Sequence, residues 1–420
     1  MMNGTQLKRK LGLVDAVFLG LGAILGAGVF VVTGVATQVA GPAMLIGFLL
    51  AGFVALCNAL SVAQLAKVYP VSGGTYIYAT KQIHPLAGFM AGWMFLTSKL
   101  AAAAVVALSF ASYVQALFPE TSLRFTSLGL VVVLTLLNFW GVKKTSLFNM
   151  LIVIFTVSVL TLFGLMGLPR VAFANFAPFT PKGLGGILQA TALLFFAYTG
   201  YARIATLGEE VEDPETTIPR AILMALGGSS VLYLLVSYAL LGTVPAAQLA
   251  NASPLQAAAR QWGISWLELL ISLGAITAMV SVHLGQLLGI SRMFFAMARD
   301  GDLPEVLSRI WAKKDVPHIS LLLTGSIVAA LVALTEFFSI VSIASFAILV
   351  YYGLANASAL SLRPEQRLYP KFVSWIGLSS CGVLALSLDK TTVLTGFFVL
   401  TVGVVYYFIY RRDGEIARRR

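Results

Sequence analysis

The chain has 420 residues, 59% of them hydrophobic and only 11% charged, with a formal net charge of +11. No water-soluble domain of this size could bury so much apolar surface, so the composition excludes a soluble enzyme or binding module and indicates a polytopic membrane protein. The positive excess follows from membrane topology, and nothing in it argues for a nucleic-acid partner.

The first apolar stretch, residues 13–38, is too long for a signal-peptide core and lacks a small-residue cleavage site, so it reads as a retained span. At its centre stands GLGAILGAGVF, Gly20 to Phe30, with Gly20, Gly22, Gly26 and Gly28 and no polar side chain. Each glycine weakens a helix interior by about 0.8–1 kcal/mol relative to alanine. This span is therefore expected to come apart at mid-membrane, where unwound backbone is tolerated only if it is buried or lines a cavity. The N–H groups opening the following half-helix suit a carboxylate. Gly22 and Gly26 also have the GxxxG spacing of close helix packing, which is the competing reading.

The pattern continues to about twelve spans, the others being 42–66, 84–116, 126–141, 147–168, 184–208, 219–244, 266–296, 318–335, 337–360, 370–388 and 391–410. The division at Glu336 and Phe337 is the faintest of these boundaries. With the N-terminus inside, the outer side keeps only Arg124, Arg170, Lys182, Arg260 and Lys390, while the inner side gathers nearly all other lysines and arginines. Both termini are then cytoplasmic, and the protein is expected as one membrane domain, residues 1–420, in the cell membrane. Cys57 and Cys381 lie in apolar spans and read as small hydrophobes.

Span six, LLFFAYTGYARIATLGEEVEDPETTIPRAI, repeats the theme, with Thr199 and Gly200 interrupting an aromatic run. Broken helices at matching positions of two halves point to a substrate site between inverted repeats near the midplane. The repeats would be 13–168 and 184–360, with 370–410 supplying two accessory helices.

Ionisable side chains within spans are functional by default. Lys99 in span three is a candidate for coupling, gating or the pocket, and His283 in span eight is a weaker coupling candidate that also suits a satisfied core histidine. Arg203, with Glu209 and Glu210, reads as an ion-pair group at the inner surface. Every Asp and Glu falls at a span end or in a loop, so a pocket for a cationic group lacks its buried carboxylate and a substrate whose side group carries no positive charge is favoured. Lys99 facing the pocket would instead suit an acidic substrate, and cation–π contacts a cationic one. No selectivity-filter sequence, catalytic motif, metal cluster or nucleotide loop is visible, which disfavours a channel, an enzyme and a primary pump. A sensor that binds the same ligand without transporting it is the nearest rival.

GAILGAGVF in span one, YPVSGGTYIYATKQIHPLAGFMAGW after span two, the span-six segment and FFAMARDGDLP after span eight together resemble the bacterial amino-acid permeases of the amino acid-polyamine-organocation superfamily. The resemblance runs nearly the length of the chain. It implies an all-α membrane protein with a five-plus-five inverted repeat (LeuT-like), broken helices one and six, and transport by alternating access without an organic cofactor or metal. It places the substrate carboxylate on the backbone N–H groups of Ala27 and Gly28 beside Gly26, and the ammonium on the carbonyls of Ile24, Phe196, Ala197 and Thr199. It makes Phe196 a lid, leaves Tyr198 a gating or packing residue, and makes the turn at Ser72, Gly73 and Gly74 part of an inner gate. Proton-coupled relatives carry a lysine in span five where this chain has Thr156, and many carry a glutamate where it has Gln64. Coupling would then fall to a proton at Lys99 or His283, to sodium at Thr156, or to exchange of one amino acid for another.

Overall fold

In a bilayer each backbone N–H and C=O must find its partner within the protein, and a single apolar segment achieves this as a helix. The computed structural model describes residues 11–69, 73–140, 146–205, 211–249, 253–311 and 316–418, and the described residues are helical apart from connections and two isolated bridges, Leu11 with Val211 and Trp311 with Val316. Glu209, Glu210, Pro70 and Ser72 lie outside the described residues.

The helices are α1 (Leu13–Ile24), α2 (Thr33–Ala40), α3 (Met44–Val68), α4 (Thr75–Gln82), α5 (Pro85–Leu117), α6 (Leu123–Phe139), α7 (Ser146–Gly167) and α8 (Gly183–Tyr198) in the first part of the chain. After them come α9 (Ala202–Ala205), α10 (Pro214–Thr243), α11 (Pro254–Gln261), α12 (Ser265–Arg299), α13 (His318–Leu334), α14 (Phe337–Leu360), α15 (Lys371–Leu386) and α16 (Lys390–Arg418). Among the described residues eight segments are long and apolar enough to cross a membrane, and Leu123–Phe139, His318–Leu334 and Lys371–Leu386 are shorter apolar helices. The first of the eight, Leu13–Val68, has 56 residues, far more than one crossing needs. It turns at Gly41, whose φ of 57° suits only glycine, followed by Pro42, which has no N–H to continue a ladder. The faint boundary at Glu336 is present: α13 stops at Leu334 and α14 starts at Phe337.

Helix α5 is central, packed on α12, α14 and α6. Its run Ala101 to Ala104, all buried, lets neighbouring backbones approach closely, as membrane interfaces without a hydrophobic driving force require. Beside it, α4 is fixed by Tyr76, whose hydroxyl donates to Asp302 Oδ2 at 2.9 Å in the turn after α12. Burial and the adjacent carboxylate push the Tyr76 phenol well above its ordinary pKa, so it remains a donor throughout the physiological range.

Spans one and six lie side by side and antiparallel. A Cβ added at Gly20 would meet Ile204, one at Gly200 the backbone of Ala23 and Ile24, and one at Gly28 the Cβ of Ala197 at 2.6 Å. This register sets the two interruptions at the same depth.

Candidate functional site

Helix α1 ends at Ile24, where Leu25 (φ −79°, ψ 79°) leaves the helical region. The Gly26 N–H donates to the Ile24 carbonyl at 3.0 Å, and a π-helical turn, Gly28–Val32, restarts the chain into α2. Such single π turns inside helices often mark functional sites. In span six, α8 ends at Tyr198 and a 3₁₀ turn, Thr199–Tyr201, joins it to α9. The second interruption is therefore a tightened turn, milder than a full unwinding, because Gly200 fits flush against the span-one backbone while a 3₁₀ turn still pairs most of its own groups.

The carbonyls set free by these interruptions are held by tyrosine hydroxyls from intact helices. Tyr233 of α10 donates to both the Ile24 carbonyl at 2.9 Å and the Ala197 carbonyl at 3.2 Å, tying the two broken spans together. Tyr352 of α14 reaches the Thr199 carbonyl at 3.4 Å, and Tyr113 of α5 reaches Phe30 in the π turn at 2.8 Å. The Thr199 hydroxyl donates to the Phe196 carbonyl at 3.0 Å. All four carbonyls named from the resemblance thus belong to one buried cluster. Each carbonyl has two lone pairs. Those of Ile24 accept from the Gly26 N–H and Tyr233, and those of Phe196 from the Thr199 N–H and hydroxyl, so an ammonium binding at either must displace one of these donors. Sequence reasoning missed Tyr233; a tyrosine hydroxyl in the middle of the apolar span seven was the available signal.

The four glycines of span one each face a different neighbour. Gly20 meets Ile204 and Ala225, Gly22 meets Asn149 and Val153 of α7, Gly26 meets Val282 of α12, and Gly28 meets Ala197 of α8. Close packing and helix interruption are therefore both present, and the packing reading of Gly22 and Gly26 describes real contacts. Phe196 is 8% exposed beside the cluster, while Tyr198 is fully buried, with its hydroxyl donating to the Phe48 carbonyl at 3.3 Å and its ring against Phe48 and Tyr233.

The polar candidates are more dispersed. His283 is fully buried next to Val282, its ring against the Ala103 backbone. Ala103 lies one helical turn beyond Lys99, whose half-buried ammonium sits 6.0 Å from the Phe95 ring. Arg203 is exposed, its guanidinium against Gly285 of α12. Thr156 is buried in α7, with its hydroxyl donating to the Ile152 carbonyl of its own helix at 2.9 Å. Gln64 joins a separate polar seam between α3 and α15. Among the described residues no group of His, Cys, Asp and Glu could hold a metal ion.

Comparison with known proteins adds a second line. The profile of the family described as amino acid permease matches residues 15–417. An uncharacterised transporter of Mycobacterium tuberculosis (strain ATCC 25618 / H37Rv) is 40% identical over 99% of this chain and 94% of its own. A branched-chain amino acid permease of Bacillus subtilis (strain 168) is 30% identical over 97% of this chain and 94% of its own. A methylthioribose transporter of the same strain is 30% identical over 99% and 96%.

Proposed function

The chain belongs to the amino acid permease family, within the amino acid-polyamine-organocation superfamily, and from that premise we propose that it is a secondary transporter of neutral L-amino acids working by alternating access. The proposal includes about twelve spans in a five-plus-five inverted repeat, 13–168 and 184–360, with 370–410 added, in the plasma membrane with both termini cytoplasmic. The antiparallel register of spans one and six supports it, because inversion of an odd-numbered repeat makes corresponding spans run in opposite directions.

The observation that carries the reading is the Tyr233 hydroxyl bridging the Ile24 and Ala197 carbonyls. Two carbonyls from two half-helix C-termini converge there and present negative dipole ends to a cation. Across the break, the start of the π turn offers the positive end to a carboxylate at Gly26, Ala27 and Gly28. A zwitterion fits this pair of ends, with side-chain selectivity left to Phe196, Val282 and their neighbours. The named cargoes of two relatives, branched-chain amino acids and methylthioribose, differ, so membership alone does not set the substrate. The neutral class rests on the Asp and Glu side chains, all of which sit at span ends or in loops.

Transport is a rocking of spans one, two, six and seven, α1 to α3 and α8 to α10, against the remaining spans, α5, α6, α12 and α13 among them. Coupling is assigned to a proton at His283 or Lys99, the two basic groups that flank the Ala103 turn. Uptake of radiolabelled neutral amino acids into proteoliposomes tests the whole reading under an imposed proton gradient, a sodium gradient, or unlabelled amino acid inside. Accumulation driven by protons is expected. Sodium dependence would shift coupling to Thr156, and uptake only against internal amino acid would make the protein an exchanger. Binding without flux under all three conditions would leave a sensor.

A further inference from the structure

The last two membrane helices, alike in sequence as appendages after the repeats, make different attachments. Helix α15 packs on α3, α14 and α8, whereas α16 packs on α14 and α5. The α15 attachment is a buried polar seam. Ser61 and Ser374 share a hydrogen bond at 2.8 Å, and Gln64 Nε2 donates to Ser374 Oγ at 3.4 Å. Asn58 Nδ2 donates to Cys381 Sγ at 3.4 Å and accepts at Oδ1 from Asn356 Nδ2 at 2.6 Å. Asn58, Ser61, Gln64, Asn356, Ser374 and Cys381 are each 2% exposed or less. The α16 attachment is aromatic: Trp93 Nε1 donates to the Val399 carbonyl at 3.0 Å, and the rings of Phe89 and Tyr407 lie 5.2 Å apart.

We infer that α15 travels with α3 during transport while α16 stays with α5, so the two C-terminal helices belong to opposite sides of the moving boundary. The inference rests on the rocking reading and assigns bodies within it. Its physical ground is that hydrocarbon offers no water to replace a lost partner. Sliding α3 along α15 would leave Ser61, Gln64, Asn58 and Cys381 to repair their bonds from a lipid environment, whereas moving the two helices together costs none of these bonds. Asn356 lets α14 follow α3 at one end, while Ser98 donates to the Ala344 carbonyl of α14 at 3.0 Å and holds it to α5. Helix α14 is thus placed as the flexible element between the bodies.

A disulfide across the seam tests this. Ser61→Cys with Ser374→Cys, in a Cys57→Ala, Cys381→Ala background, is reconstituted in proteoliposomes, and uptake is compared before and after oxidation and again after reduction. Flux of the oxidised protein within about two-fold of the reduced protein is expected. A larger fall that reductant reverses would overturn the inference. Asn58→Cys against the native Cys381, in a Cys57→Ala background, poses the same question should the first pair fail to insert. Wild-type flux measured alongside separates the readings: its absence removes the transport proposal, whereas the ratio of oxidised to reduced flux bears on the seam.

Discussion

The two sides of the interruptions differ in how the protein covers them. On the C-terminal side of the span-one break every residue from Ile24 to Thr37 is buried, and the matching stretch of span six, Ala190 to Thr199, is buried as well. On the other side of the span-one break, Val17, Phe18 and Leu19 and again Leu21, Gly22 and Ala23 are all partly exposed, and only Ala16 and Gly20 are covered. In span six Gly200, Ala202 and Arg203 lose cover in the same way, with Tyr201 and Ile204 remaining buried. Residues four apart lie one above another on a helix, so Ala16 and Gly20 mark the one fully covered stripe, and the rest of that half, though packed in part on α7 and span six, is less covered than the half beyond the break. The breaks therefore divide a closed half from an open half, an asymmetry that alternating access would use, and under the proposed orientation the open half faces the cytoplasm.

The largest way to break this arrangement is at the seam between the halves. Gly200→Ala should abolish uptake, because the new Cβ meets the backbone of Ala23 and Ile24 and neither broken span can yield without separating from the other. Uptake near the wild-type rate, in protein shown to be monodisperse, would mean that the spans are already loosely apposed there. Tyr233→Phe comes next. It leaves the Ile24 and Ala197 carbonyls without their shared donor, a loss of about 1–3 kcal/mol, and amino-acid Kd should rise on the order of tenfold. As a positioning residue Tyr233 should change KM more than the maximal rate. An effect confined to the maximal rate would instead place it in the conformational step.

The closed and open halves also invite a chemical probe of smaller amplitude. In a Cys57→Ala, Cys381→Ala background, Ala23→Cys should react with a water-soluble thiol reagent on the order of tenfold faster than Val31→Cys, since the reagent must reach the sulfur and Val31 is sealed by its neighbours. Saturating amino acid should narrow that difference by populating other states. Equal rates at both positions would remove the asymmetry.

Much of this arrangement was legible in the sequence. The apolar runs located the membrane helices to within a few residues at most boundaries, even at Glu336, though α16 runs on to Arg418 past the expected 410 and the short helices α4 and α11 fell between the expected spans. The glycines of span one together with Thr199 and Gly200 located both interruptions. The sequence was silent where the deciding contact lies far along the chain. Nothing near Tyr233 announces that its hydroxyl reaches Ile24, 209 residues away in sequence, and nothing in Gly28 shows that Ala197 rests against it. The milder form of the second break was equally hidden, because a threonine–glycine pair permits a 3₁₀ turn as readily as an unwound loop. Periodicity reports burial and glycine reports weakness, but which groups then pair across the weakness is a property of the assembled helices.

The smallest expected effect bears on which half holds the coupling group. Thr156 lies in α7, and its hydroxyl donates to the Ile152 carbonyl one turn back, an arrangement that contributes little to a helix and is readily given up. Thr156→Ala should therefore leave uptake within about two-fold of wild type and leave its ion dependence unchanged. Lys99→Ala, by contrast, removes an ammonium one turn from the residue against which His283 rests, and should alter the pH profile of uptake even where the maximal rate survives. A sodium-dependent loss in Thr156→Ala with an unaltered pH profile in Lys99→Ala would transfer coupling from the α5 and α12 interface to α7. The cation would then sit on the packing partner of Gly22, against the open half of span one.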